Sequence, residues 1–395
     1  MANSSEIKKV ALVFIATTLQ ISNPATILLA LQVFFLKKVS DFAIALLLTI
    51  YWIPMLFLSP VWGYIADSLG NRKIVAVFTQ FMVSILTFLF VIFPEYTQIF
   101  ILRFLTAIFS AAYTPVIQAY LTEDTPPTIF GRRLAIYNTA VAAGFLLSGV
   151  LASILLYYLP TSYLFIFAGI SSLCATLFLL FIPAEKIEKQ KISLKRILVS
   201  IFSISVVFEL KKFRAYYAII GLGLRHTLIM GLFSLVYVYM QKMGIPKHLL
   251  GIASIFNNIT QIILITVCGI LADKIGRKTL FVPGFFFSAI IPVIFMFSRT
   301  FLDFAIAFAF IGFSYSLLIS GINPYIRDIA PKGKESEVLS LVNTTRAIGS
   351  IFGPIIAGAI VTCFSYEMMF VIFFIIGIIA TIFSLLCKET KGHGS

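Results

Sequence analysis

An all-α membrane protein, with twelve transmembrane helices in two pseudo-symmetric six-helix bundles, is the fold the sequence predicts. Three observations carry that expectation. Hydrophobic residues make up 60% of the chain and charged residues 12%, more apolar surface than a water-soluble globule can bury or tolerate. Twelve long apolar runs follow one another with short polar connections. A glycine–acid–cation stretch occurs twice, about half the chain apart, which marks an internal repeat.

The runs occupy 10–36, 43–66, 74–93, 97–121, 134–158 and 162–182 in the first half, then 214–240, 249–272, 279–298, 302–326, 338–362 and 367–387. Each reaches the ~20 residues that carry a helix across ~30 Å of hydrocarbon. Strand-like alternation is absent, and a helix satisfies its own backbone polar groups in lipid. The predicted organisation is a bundle over 1–183, a linker over 184–213 and a second bundle over 214–395. Within the linker, 192–210 imitates a thirteenth span, but its uncharged core from Ile197 to Phe208 is too short to cross. Lys189, Ser193, Arg196, Ser200 and Ser203 recur at helical spacing, so an amphipathic helix lying in the interface is expected.

Cations set the orientation. Of the 30 lysines and arginines, 22 fall in one set of connections; only Lys37, Lys38, Lys242, Lys247 and Arg299 fall in the other. The positive-inside rule then puts both termini in the cytoplasm of a multi-pass plasma-membrane protein. The net charge of +14 is thereby a topology signal and an attraction to anionic lipid, with no nucleic acid expected. The four cysteines lie in apolar runs and read as packing residues. The three histidines, His226, His248 and His393, make no metal-ligand spacing. No cleavable signal is expected, and no phosphate-cradling loop points to ATP. An enzyme is not expected, nor a cofactor.

The duplicated stretch runs Gly63-Tyr64-Ile65-Ala66-Asp67-Ser68-Leu69-Gly70-Asn71-Arg72-Lys73, then Gly269-Ile270-Leu271-Ala272-Asp273-Lys274-Ile275-Gly276-Arg277-Lys278. Its first glycine is expected to thin a helix end for a close neighbour. Together with Arg103-Phe104-Leu105-Thr106-Ala107, Gly131-Arg132-Arg133, and Gly349, Gly353, Pro354 and Gly358 in the eleventh run, it resembles the major facilitator superfamily over nearly the whole chain. The drug–proton antiporter branch is the nearest in flavour, although the fifth run has Gly144 and Gly149 without that branch's Gly-Pro pair. The resemblance implies secondary transport by alternating access, with a latch at the cytoplasmic end around Asp67 and Arg72. Acids at matching places, Glu123 and Asp328, suggest two latches, Asp67–Arg72–Glu123 and Asp273–Arg277–Asp328. Simple topology-fixing charges are the plainer reading of the same residues. Gly349, Gly353 and Pro354 are expected to serve helix packing.

All 16 acids lie in connections or at helix ends, whereas Arg103, Arg225 and Arg346 lie within spans. Arginine at such depth demands a bundle interior or a wet cavity. Arg103 shares a stripe with Thr106, Ser110, Tyr113 and Thr114, and Arg346 shares one with Asn343, Gly349 and Ser350. His226 aligns with Ser234, Tyr237 and Gln241; Arg225 is turned to a more apolar face. Helix bracing and ligand contact stand level for Arg225. Gln20, Asn23, Tyr113, His226, Asn257, Gln261, Ser320, Asn323 and Arg346 are the candidate substrate contacts. Arg103, by resemblance, and His226, by its ordinary pKa near 6.5, are candidates for proton relay. The expected function is efflux of small amphiphilic compounds, with or without proton coupling through such groups. The alternative is an organic-anion facilitator or exchanger with a cationic cavity. Expected partners are a small-molecule substrate, membrane lipids and, under coupling, protons; a monomer is expected.

Overall fold

The computed structural model describes residues 4–122, 127–184, 214–330 and 335–390. Every regular element among them is a helix: α1 (Ser4–Phe35), α2 (Asp41–Leu69), α3 (Arg72–Ile92), α4 (Tyr96–Ser110), α5 (Tyr113–Thr122), α6 (Pro127–Tyr158) and α7 (Tyr163–Leu180), then α8 (Tyr216–Lys242), α9 (Leu249–Ile275), α10 (Arg277–Phe297), α11 (Phe301–Ile329), α12 (Glu335–Cys363) and α13 (Tyr366–Leu385). Among the described residues, twelve spans are long and apolar enough to cross a membrane, α4 and α5 together making the fourth. The interfacial helix expected over 192–210 lies outside the described residues.

The fourth run departs from the single helix expected of it. Ala111 and Ala112 form a turn, the Ala112 amide donating to Phe109 O at 3.2 Å, yet Arg103, Thr106, Ser110 and Tyr113 are all buried on either side of it. The other boundaries follow local chemistry. Asn71 caps α3 by accepting from the Ile74 amide at 3.1 Å, and Ser365 caps α13 by accepting from the Met368 amide at 3.2 Å. Thr300 and Asp303 exchange hydrogen bonds as a capping box on α11. Prolines inside α1, α2, α10, α11 and α12 are tolerable because neighbouring membrane helices re-satisfy the freed carbonyls.

The chain divides into two compact units, one of Met1–Phe35 and Ile50–Ile197, the other of Leu36–Thr49 and Leu198–Ser395. In the first, α1 packs on α6 and α7, and α3 packs on α4, α5 and α7. Its core joins Val13, Ala16, Val75, Tyr113, Val116 and Tyr120. Lipid gives little hydrophobic force between helices, so small and polar residues do the holding. Asn23 Nδ2 donates to Thr87 Oγ1 (3.1 Å) and Ala168 O (2.9 Å), Thr26 pairs with Ser148 at 2.9 Å, and Ser22 pairs with Ser171.

In the second unit α8 packs on α12 and α13, α9 on α11, and α10 on α11 and α13. Phe281, Phe285, Leu318, Ile322 and Tyr325 anchor its core. The α8–α12 crossing is backbone against backbone. A Cβ added at Gly349 would stand 2.6 Å from Gly223 O and 2.9 Å from His226 Cβ, and one at Gly353 would meet Thr227 O and Gly231 N.

Each unit ends its duplicated stretch in the same way. Gly70 (φ 67°) and Gly276 (φ 110°) adopt the left-handed backbone that side chains disfavour, which ends α2 and α9 and turns the chain into the next helix. Lys73 Nζ then donates to Ile182 O and Lys278 Nζ to Leu385 O, both at 2.8 Å, tying each turn to the end of its unit's last helix. The first glycines do not have the role expected of them. A Cβ at Gly63 would meet Pro115 Cβ at an ordinary 3.6 Å, and one at Gly269 would meet nothing within 4 Å. The turn, not close helix approach, is what requires glycine in this stretch.

Candidate functional site

Charged turns recur in the two units. In the first unit Arg72 is buried, and its Nε and Nη2 both reach Asp67 Oδ1 at 2.9 Å. Glu123, the expected third member, lies outside the described residues. In the second unit Arg277 Nε donates to Asp328 Oδ2 at 3.4 Å and Nη1 donates to Ala272 O at 3.0 Å; the Asp273 side chain lies outside the described residues. Among the described residues, Arg72 pairs with an acid of its own stretch and Arg277 with an acid on α11.

Glu389 is a further participant that no spacing rule picks out. Its carboxylate accepts from the Arg277 amide at 3.2 Å and the Lys278 amide at 3.0 Å, a negative charge on the positive N-terminal end of α10. Thr390 Oγ1 donates to Asp328 Oδ2 at 3.3 Å alongside it. At the other end of the second unit, Asp41 Oδ2 accepts from Lys242 Nζ (2.6 Å) and Tyr366 Oη (2.9 Å). This cluster joins three segments far apart in sequence, so nothing in the local pattern announces it.

Inside the first unit, Arg103 is 3% exposed. Its guanidinium carbon lies 4.0 Å from the Tyr51 ring centroid, a cation–π contact that is strongest when desolvated. Its Nε and Nη1 have no hydrogen-bond partner among the described residues, and neither does the Oε1 of buried Gln20. Tyr113 shares a 3.1 Å hydrogen bond with Thr17 and is packed into the core. Asn23 has both amide hydrogens engaged between α1, α3 and α7, which leaves only its carbonyl for another partner.

Inside the second unit, Arg225 is also 3% exposed. Its Nε donates to Ser288 Oγ on α10 at 3.1 Å, and its guanidinium carbon lies 5.4 Å from the Tyr315 ring on α11. Arg225 thus braces helices, yet its Nη2 has no partner among the described residues. Arg346 and His226 are half-buried and lie within electrostatic reach of Arg225. Of the remaining candidates, Gln261 donates to Asn257 Oδ1 on the same helix at 2.8 Å, Ser320 donates to Ile265 O at 3.1 Å, and Asn323 is exposed. The structure brings Arg225, His226 and Arg346 together and leaves Asn257, Gln261 and Ser320 on the α9–α11 side of the unit. No group of acids, histidines and cysteines among the described residues could hold a metal ion.

Comparison with known proteins places this architecture. An uncharacterised MFS-type transporter of Methanocaldococcus jannaschii is 25% identical over 355 residues, 87% of either chain. A multi-drug resistance efflux pump PmrA homolog of Lactococcus lactis is 23% identical over 337 residues, 81% of this chain and 80% of that one. The crystal structure of a point mutant of the nucleoside transporter NupG superposes with a TM-score of 0.82 at 15% identity, covering 96% of this chain and 100% of that one, a likeness of fold. The sequence model of the Major Facilitator Superfamily matches residues 10–257 and 226–394: this chain is a multi-pass membrane transporter, not an enzyme, and belongs to that superfamily.

Proposed function

We propose that the protein exports small amphiphilic molecules from the cytoplasm by alternating access, with both termini cytoplasmic and the plasma membrane as its site. The observation that carries the reading is the resemblance to a multi-drug efflux pump over about four fifths of the chain. Duplicated charged turns at one end of each unit support it. In transporters of this build, two repeats rock about a central site, and a two-state element needs contacts that exist in one state only. The Asp67–Arg72 and Arg277–Asp328 pairs, each within its own unit, are the contacts we assign to that role.

Coupling to protons is part of the proposal. No acid stands in the middle of any span, so a carboxylate relay has no residue to use there. His226, half-buried beside Arg225 and Arg346, is the titratable group assigned to the relay, and Arg103 contributes a fixed positive charge inside the first unit. The test is expression in a bacterial host stripped of its own efflux systems, with ethidium accumulation followed by fluorescence. Accumulation should fall on expression and recover when the proton gradient is collapsed. Equal accumulation with and without the protein would refute export; export that persists after collapse would refute the coupling.

A further inference from the structure

We propose that α8, α10, α11 and α12 build an oxyanion-binding site around Arg225, Arg346, His226 and Tyr315, and that the molecules carried include amphiphiles bearing a carboxylate. The proposal rests on the transport reading and narrows its substrate class. Its starting point is electrostatic. Two guanidinium groups and an imidazole share one region of the second unit, while α8 and α10 contain no acid and α9, α11, α12 and α13 carry acids only in their terminal turns. Like charges held together in a medium of low dielectric repel strongly, and an uncompensated buried cation is strongly disfavoured.

The fold nevertheless forces the cluster together. Gly223 on α8 faces Thr345 on α12, where an added Cβ would stand 2.7 Å from Thr345 Cγ2, and Gly349 faces His226 and Thr227. With the backbones that close, the turn of α12 that carries Arg346 is held beside the turn of α8 that carries Arg225 and His226. Packing alone would be served by apolar residues of similar volume, which are usually at least as stabilising as buried charge. An anion that arrives and leaves resolves the conflict.

The side chains are arranged for such a visitor. Arg225 is buried and held from behind: Ser288 takes its Nε, Tyr315 lies against its face, and Nη2 remains without a partner. Arg346, His226 and Tyr315 are only half-buried, so ligand can reach them. An arginine fork matches the two oxygens of a carboxylate, the Tyr315 hydroxyl can donate a further bond, and the Tyr315 ring offers an apolar face beside it. A neutral isostere finds the same shape without the charge.

The test uses the purified full chain in phosphatidylcholine nanodiscs, titrated with 1-naphthoate and its uncharged isostere 1-naphthamide and read by thermal unfolding. Naphthoate should raise the unfolding midpoint, with naphthamide about tenfold weaker or more, the scale of a lost charge-assisted hydrogen bond. Arg346→Gln should weaken naphthoate by about as much while leaving naphthamide unmoved, and Arg346→Lys should fall between, because lysine keeps charge without the fork. If Arg225→Gln does not fold, Ser288→Ala tests the brace, and weaker naphthoate binding is expected there too. Equal responses to the two probes, or naphthoate binding unaltered in Arg346→Gln, would overturn the site. Displacement of naphthoate by phosphatidylglycerol in the disc would reassign it to a lipid headgroup and overturn the substrate claim. Ethidium flux by the unmutated protein separates the failures: flux with no naphthoate binding sinks the site alone, and the loss of both sinks the transport reading.

Discussion

Replacing Gly349 with alanine tests the helix crossing that assembles the second unit. The added Cβ would lie 2.6 Å from Gly223 O and 2.9 Å from Thr227 N. Both are backbone atoms of α8, so no side-chain rotation can make room. Carbon needs about 3.5 Å for an unstrained contact, so α8 and α12 must separate by roughly 1 Å or distort. Overpacking of this kind costs ~1–3 kcal/mol, offset by the ~0.5–1 kcal/mol gained when a helical glycine becomes alanine. A net loss of about 1–2 kcal/mol lowers the unfolding midpoint by roughly 2–8 °C for a unit of this size. The assay is thermal unfolding with a thiol-reactive dye, which reports exposure of the buried Cys268 and Cys387. Gly269→Ala is the control, because nothing lies within 4 Å of its added Cβ, and it should be neutral or mildly stabilising. The same midpoint for both variants, or a more stable Gly349→Ala, would refute the crossing geometry.

Three further outcomes follow from the turns and the tail. Asp67→Asn removes the carboxylate that the buried Arg72 guanidinium meets at 2.9 Å and should reduce export severalfold while the protein still purifies as a folded species; unchanged export would remove the latch role. Gly276→Ala combines a φ of 110° with a Cβ only 2.8 Å from Glu389 Oε2, and should destabilise by ~1–3 kcal/mol, more than Gly269→Ala; an equal effect would show that the turn relaxes freely. Burial pushes the Cys387 thiol up to about 11, because the thiolate is the form that desolvation penalises. Cys363 is exposed, so near neutral pH a membrane-permeant maleimide should label Cys363 first, with Cys387 reacting appreciably only as the pH approaches that value; prompt labelling of Cys387 near neutrality would contradict its burial.

The fold was legible because span length and the duplicated stretch are local signals. Twenty apolar residues announce a membrane helix wherever they pack, and Gly276-Arg277-Lys278 repeats Gly70-Asn71-Arg72-Lys73 closely enough to count halves. The break at Ala111–Ala112 was not legible, since two alanines within an apolar run favour helix by propensity. The role of the glycines was misplaced for a related reason: a pattern shows that glycine is present, and only the backbone shows whether space or φ requires it. Of the interior, the three arginines were conspicuous by cost alone. Their surroundings were not, because Tyr51, Ser288 and Tyr315 reach Arg103 and Arg225 from other helices. Glu389 and Asp41 went unnoticed for the same reason, each joining segments that meet only in three dimensions.

The most direct measurement is flux through the purified protein alone. Reconstituted into liposomes with an imposed pH gradient and ethidium as cargo, it should move dye against the dye's own gradient, stop when the pH gradient is dissipated, and run severalfold slower as Asp67→Asn. Dye movement no faster than in protein-free liposomes, under either gradient, would contradict the claim that this chain is an exporter.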